Sequence, residues 1–297
     1  MTSPAPPQIS YIDPDGGVWY LSDMSLSNGY ICTDIAGIDG LPVSFSSSPL
    51  LNGGSLPQIY VPQPGSVVIG LYLESQGDVN AYMKLLDKFA YAFFNQRDGK
   101  PVPGQLVIQR QDGTSRFLNV YTVSGADTAT DWMPTWATYT LTLQSDDPFW
   151  YDLTPQQSQY ILAGQASGIL PLLPINLGSS TVIGSSTLVN DGGAEAYPIW
   201  LITGPGLPNF ANLTTGRQFS LQSVLASGQV IQVDTRPGLQ SAVDINSGTN
   251  LWSGIVKASP RDLWSLAVGV NKINLAMGGA GPASNILLTW TRRWLRP

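Results

Sequence analysis

The stretch Trp136-Ala-Thr-Tyr-Thr-Leu-Thr-Leu-Gln144 decides the fold class. Ala137, Tyr139, Leu141 and Leu143 alternate with Trp136, Thr138, Thr140 and Thr142. Successive side chains of an extended backbone point to opposite faces, so this period of two marks a half-buried strand. It stops abruptly at Ser145-Asp-Asp-Pro-Phe-Trp-Tyr151.

Working upstream, Leu106–Arg110 and Arg116–Val123 flank Asp112-Gly113, a strong tight-turn signal, and read as a hairpin. One segment departs from strand patterning. From Asp78 to Asn95, Val79, Met83, Leu86, Phe89, Ala90 and Phe93 recur at helical spacing, with Lys84, Asp87 and Lys88 opposite them. Asp78 can cap this helix, and the Gly and Pro of Arg97-Asp-Gly-Lys-Pro101 end it. Further upstream, Ile59–Val61 and Val67–Leu73 are the most strand-like runs, split by the turn Pro62-Gln-Pro-Gly65. Residues 1–10 are Pro-rich and read as an arm or flexible tail.

Downstream, residues 153–190 are rich in Gln, Ser, Gly and Pro, and the repeated Gly-Ser-Ser-Thr at 178–181 and 184–187 reads as polar strand edge and loop. Short strands then recur at Ile199–Thr203, Gln218–Leu221, Val230–Asp234, Val243–Ile245, Ile273–Leu275 and Ile286–Leu295. Regular strands with turn punctuation and no helix predict an antiparallel sandwich. The fold expected is mainly β in two domains. Residues 1–152 form a sandwich or barrel-like domain with a helix at about 78–95, and residues 153–297 form a second sandwich. The second domain is expected to fold alone, with Gln156–Ser167 as the first site of proteolysis.

Composition excludes several functions. Charged residues make up 11% of the chain, against about 25% in average domains. The net charge is −6, and phosphate binding relies on clustered cations. Arg292, Arg293 and Arg296 are the one basic cluster. No apolar run approaches the roughly 18 residues of a membrane span, and residues 1–10 lack the features of a signal peptide, so a soluble chain made in the cytoplasm is expected. The sole cysteine, Cys32, reads as a small buried hydrophobe.

The sequence contains no histidine, which removes the commonest general base and transition-metal ligand. No phosphate loop or dinucleotide fingerprint occurs, so no metal, cofactor or catalytic residue is expected. Only two glutamates occur, Glu74 and Glu195. Asp146 and Asp147 are adjacent on an extended chain and would face opposite sides, unlike the spaced pair of a glycosidase. Asp13-Pro-Asp15-Gly16 lacks the ligand series of a calcium loop. Trp132, Trp136, Trp252 and Trp264 could stack on sugar rings, although aromatics more often fill cores and interfaces.

Three stretches together resemble the distal tail protein family of long-tailed bacteriophages. The first is Leu50-Leu-Asn-Gly-Gly54 with the following strands, the helix and the Asp-Gly hairpin. The second is Tyr139 to Tyr151, with its Asp-Pro-Phe-Trp-Tyr ending. The third joins Asn190-Asp-Gly-Gly-Ala-Glu-Ala-Tyr-Pro198, Ile199–Gly206, Asn212-Leu-Thr-Thr-Gly216, Val230-Ile-Gln-Val-Asp234 and Leu266–Asn274. The resemblance implies a galectin-like second domain and a first domain that assembles into a hexameric ring at the tail tip of the virion. Tail-tube and tail-tip hub proteins would be its partners, with no enzymatic activity. On that reading the uncharged run holding Ile59, Val61, Val67, Ile69 and Tyr72 is either subunit contact or sheet core. A carbohydrate-binding or receptor-contacting module for host-surface glycan is the alternative, and a carboxylate hydrolase stands behind it.

Overall fold

The computed structural model describes residues 8–51, 53–161, 181–259 and 262–297. One unit runs to Leu153 and takes in Trp294–Pro297, and the other is Thr154–Arg293. The last four residues therefore lie with the first unit, not with the sandwich that precedes them in sequence.

The first unit contains β1 (Gln8–Ile12), β2 (Val18–Tyr20), β3 (Tyr30–Ala36), β4 (Val43–Pro49), β5 (Ser55–Pro62) and β6 (Gly65–Glu74). After the helix α1 (Val79–Ala92) come β7 (Gln96–Arg97), β8 (Lys100–Pro101), β9 (Gly104–Gln109) and β10 (Ser115–Ser124). The last three are β11 (Asp131–Met133), β12 (Trp136–Ser145) and β13 (Trp150–Asp152). The strands run in the order β2-β1-β9-β10-β12-β6-β3, with β11 on β12 and β13 on β10. Antiparallel register sets Ala137 opposite Leu73, Leu141 opposite Ile69 and Leu143 opposite Val67. The alternation in β12 thus points the apolar set of two neighbouring strands at one core, where all six are buried.

Helix α1 packs against that core. The Asp78 carboxylate accepts the Asn80 and Ala81 amides at 2.8 and 3.1 Å and caps it. Its buried face carries Tyr82, Phe89 and Ala92, whereas Val79, Met83 and Ala90 are exposed. The expected stripe is rotated by about one residue, because Tyr82 supplies a larger apolar body than Met83 and the phase follows the larger buried area. Phe89 and Phe93 meet Trp19 at ring-centroid distances of 6.4 and 5.6 Å, and Phe93 stacks on Tyr11 at 4.6 Å.

Tyr11 lies over Gly104, where a Cβ would stand 2.2 Å from the phenol oxygen, and donates to the Ala92 carbonyl at 3.2 Å. Burial pushes its phenol up to about 12, partly offset by a hydrogen bond from Asn95. The sign follows from linkage: below pH ~10 the phenol is neutral folded and unfolded, and its contribution is intact. Between pH ~10 and ~12 the unfolded chain ionises first and stability drains away. Denaturant titrations at pH 9 and 11.5 should show Tyr11→Phe losing about 2 kcal/mol less than wild type over that interval. Equal losses in the two proteins would remove Tyr11 as the cause.

The second unit holds β14 (Gln156–Ile161), β15 (Thr181–Asn190), β16 (Ile199–Thr203), β17 (Leu207–Asn212) and β18 (Arg217–Leu221). It continues with β19 (Val230–Asp234), β20 (Ser241–Asp244), β21 (Ile255–Val256), β22 (Gly269–Gly278) and β23 (Asn285–Trp290). Two five-stranded antiparallel sheets, β14-β23-β16-β19-β20 and β15-β22-β17-β18-β21, enclose one core. Trp200 of the first sheet meets Phe210 of the second at 4.5 Å and Trp264 edge-on at 5.0 Å. Ile286, Leu288 and Trp290 of β23 are buried on one face, as their spacing predicts. Of the polar stretch expected as strand edge and loop, Thr181–Asn190 forms β15, a ten-residue strand paired along its length with β22. Gln156–Ile161 is likewise a paired strand and not an open linker. Residues 162–167 of the expected proteolysis site lie outside the described residues.

Candidate subunit contact surface

The hairpin β4–β5 stands apart. Among the described residues its strands pair only with each other, whereas β6, a few residues on, is held between β12 and β3. From Leu41 to Leu73 the sequence has no charged residue. Register sets Phe45 opposite Tyr60 and Ser46 opposite Ile59, so Val43 and Phe45 share one face while Ile59 and Val61 lie on the other. All four are exposed, Phe45 at 59% and Ile59 at 49%. An isolated two-stranded hairpin is marginal in water, and an uncharged apolar edge is an aggregation hazard unless something covers it. This hairpin has both properties on both faces.

The five candidate contact residues therefore separate. Ile59 and Val61 sit on the projecting hairpin. Val67 and Ile69 have no accessible surface; they point into the core of their own unit because β6 is an interior strand, the sheet-core alternative of the two. Tyr72 occupies the opposite face of β6, half-buried, with its ring 5.8 Å from that of Trp136.

The chemical candidates are accounted for by structure. The Asp147 carboxylate accepts the Phe149 amide at 3.2 Å and the Tyr151 hydroxyl, which holds the turn after β12. Asp13 accepts the Asp15 and Gly17 amides, and Asp15 pairs with Arg97. The Arg97 guanidinium holds the Asp15 carboxyl below its usual range. Among the described residues no group of three metal-binding side chains converges. No helix there is long and apolar enough to cross a membrane. Arg292 pairs with Asp191 at 2.9 Å, and Arg293 reaches the Glu195 carbonyl and lies over the Tyr197 ring. The basic cluster is thus partly consumed inside its own fold. Cys32 is half-buried and burial pushes its thiol up, so it stays protonated.

Of the four tryptophans considered for sugars, Trp264 is fully buried and donates to the Phe210 carbonyl at 3.2 Å. The Lys257 ammonium lies 3.8 Å from the Trp252 ring centroid. Trp136 is half-buried, and Trp132 remains exposed at 68% on β11. The asparagines that mark the third resembling stretch are also structural. Asn190, Asn212 and Asn271 are completely buried. Asn190 donates to the Ala194 and Leu266 carbonyls, and Asn212 accepts the Thr214 and Thr215 amides. Sequence reasoning had no signal for the bonds of Asn190 to the Leu266 carbonyl and of Asn212 to the Ser265 carbonyl, whose partners lie 76 and 53 residues away.

Two β-rich units, the first with a helix against its core, make a fold shared with bacteriophage hub and baseplate proteins. The SPP1 Dit protein, described as a paradigm of the hub adsorption apparatus in phages infecting Gram-positive bacteria, superposes with a TM-score of 0.65 at 12% identity, covering 98% of this chain and 100% of its own. A chain of the phage P2 baseplate in its activated conformation with Ca superposes with a TM-score of 0.57 at 10% identity, covering 97% and 98%. The same baseplate with Sr gives 0.55 at 12% identity, covering 97% and 98%. No family model and no curated protein matches the sequence. The likeness is one of fold over nearly the whole chain.

Proposed function

We propose that this chain is a structural subunit of a bacteriophage tail tip, built into the virion as a ring that joins the tail tube to the distal apparatus. The observation that carries the reading is the uncharged β4–β5 hairpin, with exposed apolar side chains on both faces and strands that among the described residues pair only with each other, on a fold shared with hub and baseplate proteins. Its partners are further copies of itself, hexameric on the pattern of the resembling family, with the tube protein on one side and tip proteins on the other. It is made in the host cytoplasm and acts by position, as a minor tail component, without catalysis. Supporting this, the sequence has no histidine and Asp147 is engaged in a turn.

Native mass spectrometry and negative-stain images of the purified chain test the reading. Closed rings are expected, and Ile59→Lys with Val61→Lys should give a folded monomer, because a charge buried between subunits costs several kcal/mol. Val67→Lys should instead unfold the first unit. A wild-type chain that remains monomeric as its concentration is raised overturns self-assembly through this hairpin.

A further inference from the structure

We infer that the second unit is an insert in the first: the chain suspends the first unit at Leu153, builds a complete sandwich, and finishes the first unit with Trp294–Pro297. Sequence order alone assigns those last residues to the sandwich. Two independent observations carry the inference, the closure of each core and the placement of the two points where the chain crosses over.

Each core closes without the other. Among the described residues, every buried apolar side chain of the first core lies between Tyr11 and Trp150, and Trp294 packs against it from beyond the insert. The second core draws on residues between Leu188 and Trp290, with Tyr160, Leu251 and Trp252 against it. Burial of apolar surface is the main favourable contribution to folding. A unit that completes its own core therefore carries its own driving force.

The crossings lie side by side. Strands β14 and β23 are antiparallel neighbours with Gln156 opposite Trp290, so the insert opens and closes on strands about 4.8 Å apart. On the first unit's side, β24 (Arg293–Trp294) pairs with β13. Pro155 falls between β13 and β14, and a residue with no N–H to donate separates the two ladders. Neighbouring ends are what allow one domain to be inserted in another without stretching its host. The returning residues are then bonded into the first unit. The Trp294 indole nitrogen donates to Asp152, the Arg296 carbonyl accepts from Arg116, and Pro297 borders a cleft with Ile9 and Ile108. A tail that merely trailed from the sandwich would make none of these contacts. What stands between Leu153 and Trp294 is thus exchangeable: any module whose first and last strands pair leaves the first unit whole.

Fluorine NMR of the full chain labelled with fluorotryptophan tests the inference. Of the nine tryptophans, Trp19 and Trp150 report on the first core, and Trp200, Trp264 and Trp290 on the second. Single Trp→Phe variants assign the signals. Leu141→Asp and Ile202→Asp each put a carboxylate into one core, at a side chain with no accessible surface, and urea is raised until that unit unfolds. In Leu141→Asp, Trp294 should move to its unfolded position with Trp19 and Trp150, while Trp200, Trp264 and Trp290 keep their native shifts. In Ile202→Asp those three should move, while Trp19 and Trp150 keep theirs. If Trp294 keeps its native shift along with Trp290 when the first core is broken, the last four residues belong to the sandwich and there is no insert. If either substitution brings down all the signals together, neither unit stands without the other and the inference falls.

Discussion

Asn271→Ala is expected to destabilise the second unit by about 3–5 kcal/mol. Asn271 has no accessible surface. Its Oδ1 accepts the Ala267 amide at 2.9 Å, and its Nδ2 donates to the carbonyls of Ala267 and Gly269 at 2.8 and 3.1 Å. Alanine leaves one donor and two acceptors, all part-buried, without this partner, and each such group costs about 1–3 kcal/mol when water cannot replace the bond, part of which exposure and relaxation recover. Asn271→Asp separates hydrogen bonding from side-chain volume. It puts an oxygen where the amide nitrogen faces two carbonyls, so the variant should be worse than alanine at pH 7. It should improve as acid protonates the new carboxyl, whose folded pKa is raised by burial and by those carbonyls. Thermal or urea unfolding of the full chain at pH 4 and pH 7 reads both effects. A loss under 1 kcal/mol for Asn271→Ala would mean that the loop between Ala267 and Gly269 is held by something else.

Ending the chain at Arg293 should destabilise the first unit by about 3–5 kcal/mol and leave the second unit's transition in place. Arg116 and Asp152 face each other across β10 and β13, and both are buried. Trp294 closes over them. Its indole nitrogen donates to Asp152 Oδ1 at 2.8 Å, and the Arg116 guanidinium lies 3.7 Å from the ring centroid. Arg116 also donates to the Arg296 carbonyl at 2.8 Å. Removing four residues exposes two charges to a half-wetted site and strips the contacts that orient them. Trp294→Phe keeps an aromatic face and loses the donor, so it should cost less, about 1–2 kcal/mol. Calorimetry resolves the two units if they unfold separately, and an unmoved first-unit transition in the truncated chain would refute the clasp.

Much of the architecture was legible in the sequence because it depends on short windows. The alternation in Trp136–Gln144 places Ala137, Leu141 and Leu143 in the core as found. Asp112-Gly113 turns the chain between β9 and β10 as its dipeptide requires, and Asp78 caps α1. The absence of histidine fixed what chemistry to exclude before any coordinate was known.

Other features needed the tertiary structure. Ile59-Tyr-Val61 and Val67–Leu73 are equally apolar and equally uncharged, yet one projects into solvent and the other is an interior strand. The difference lies in which partners each strand has, and β12, the partner of β6, arrives more than sixty residues later. The polar repeat read as strand edge, but the length and partner of β15 did not show, because Ser, Gly and Thr carry no apolar alternation and β22 lies some ninety residues away. The clasp of Trp294 on Asp152 spans 142 residues. Periodicity reports how a segment divides between inside and outside, a property of its own side chains. It does not report what lies across the ladder, because pairing energy is shared with residues that no local window contains.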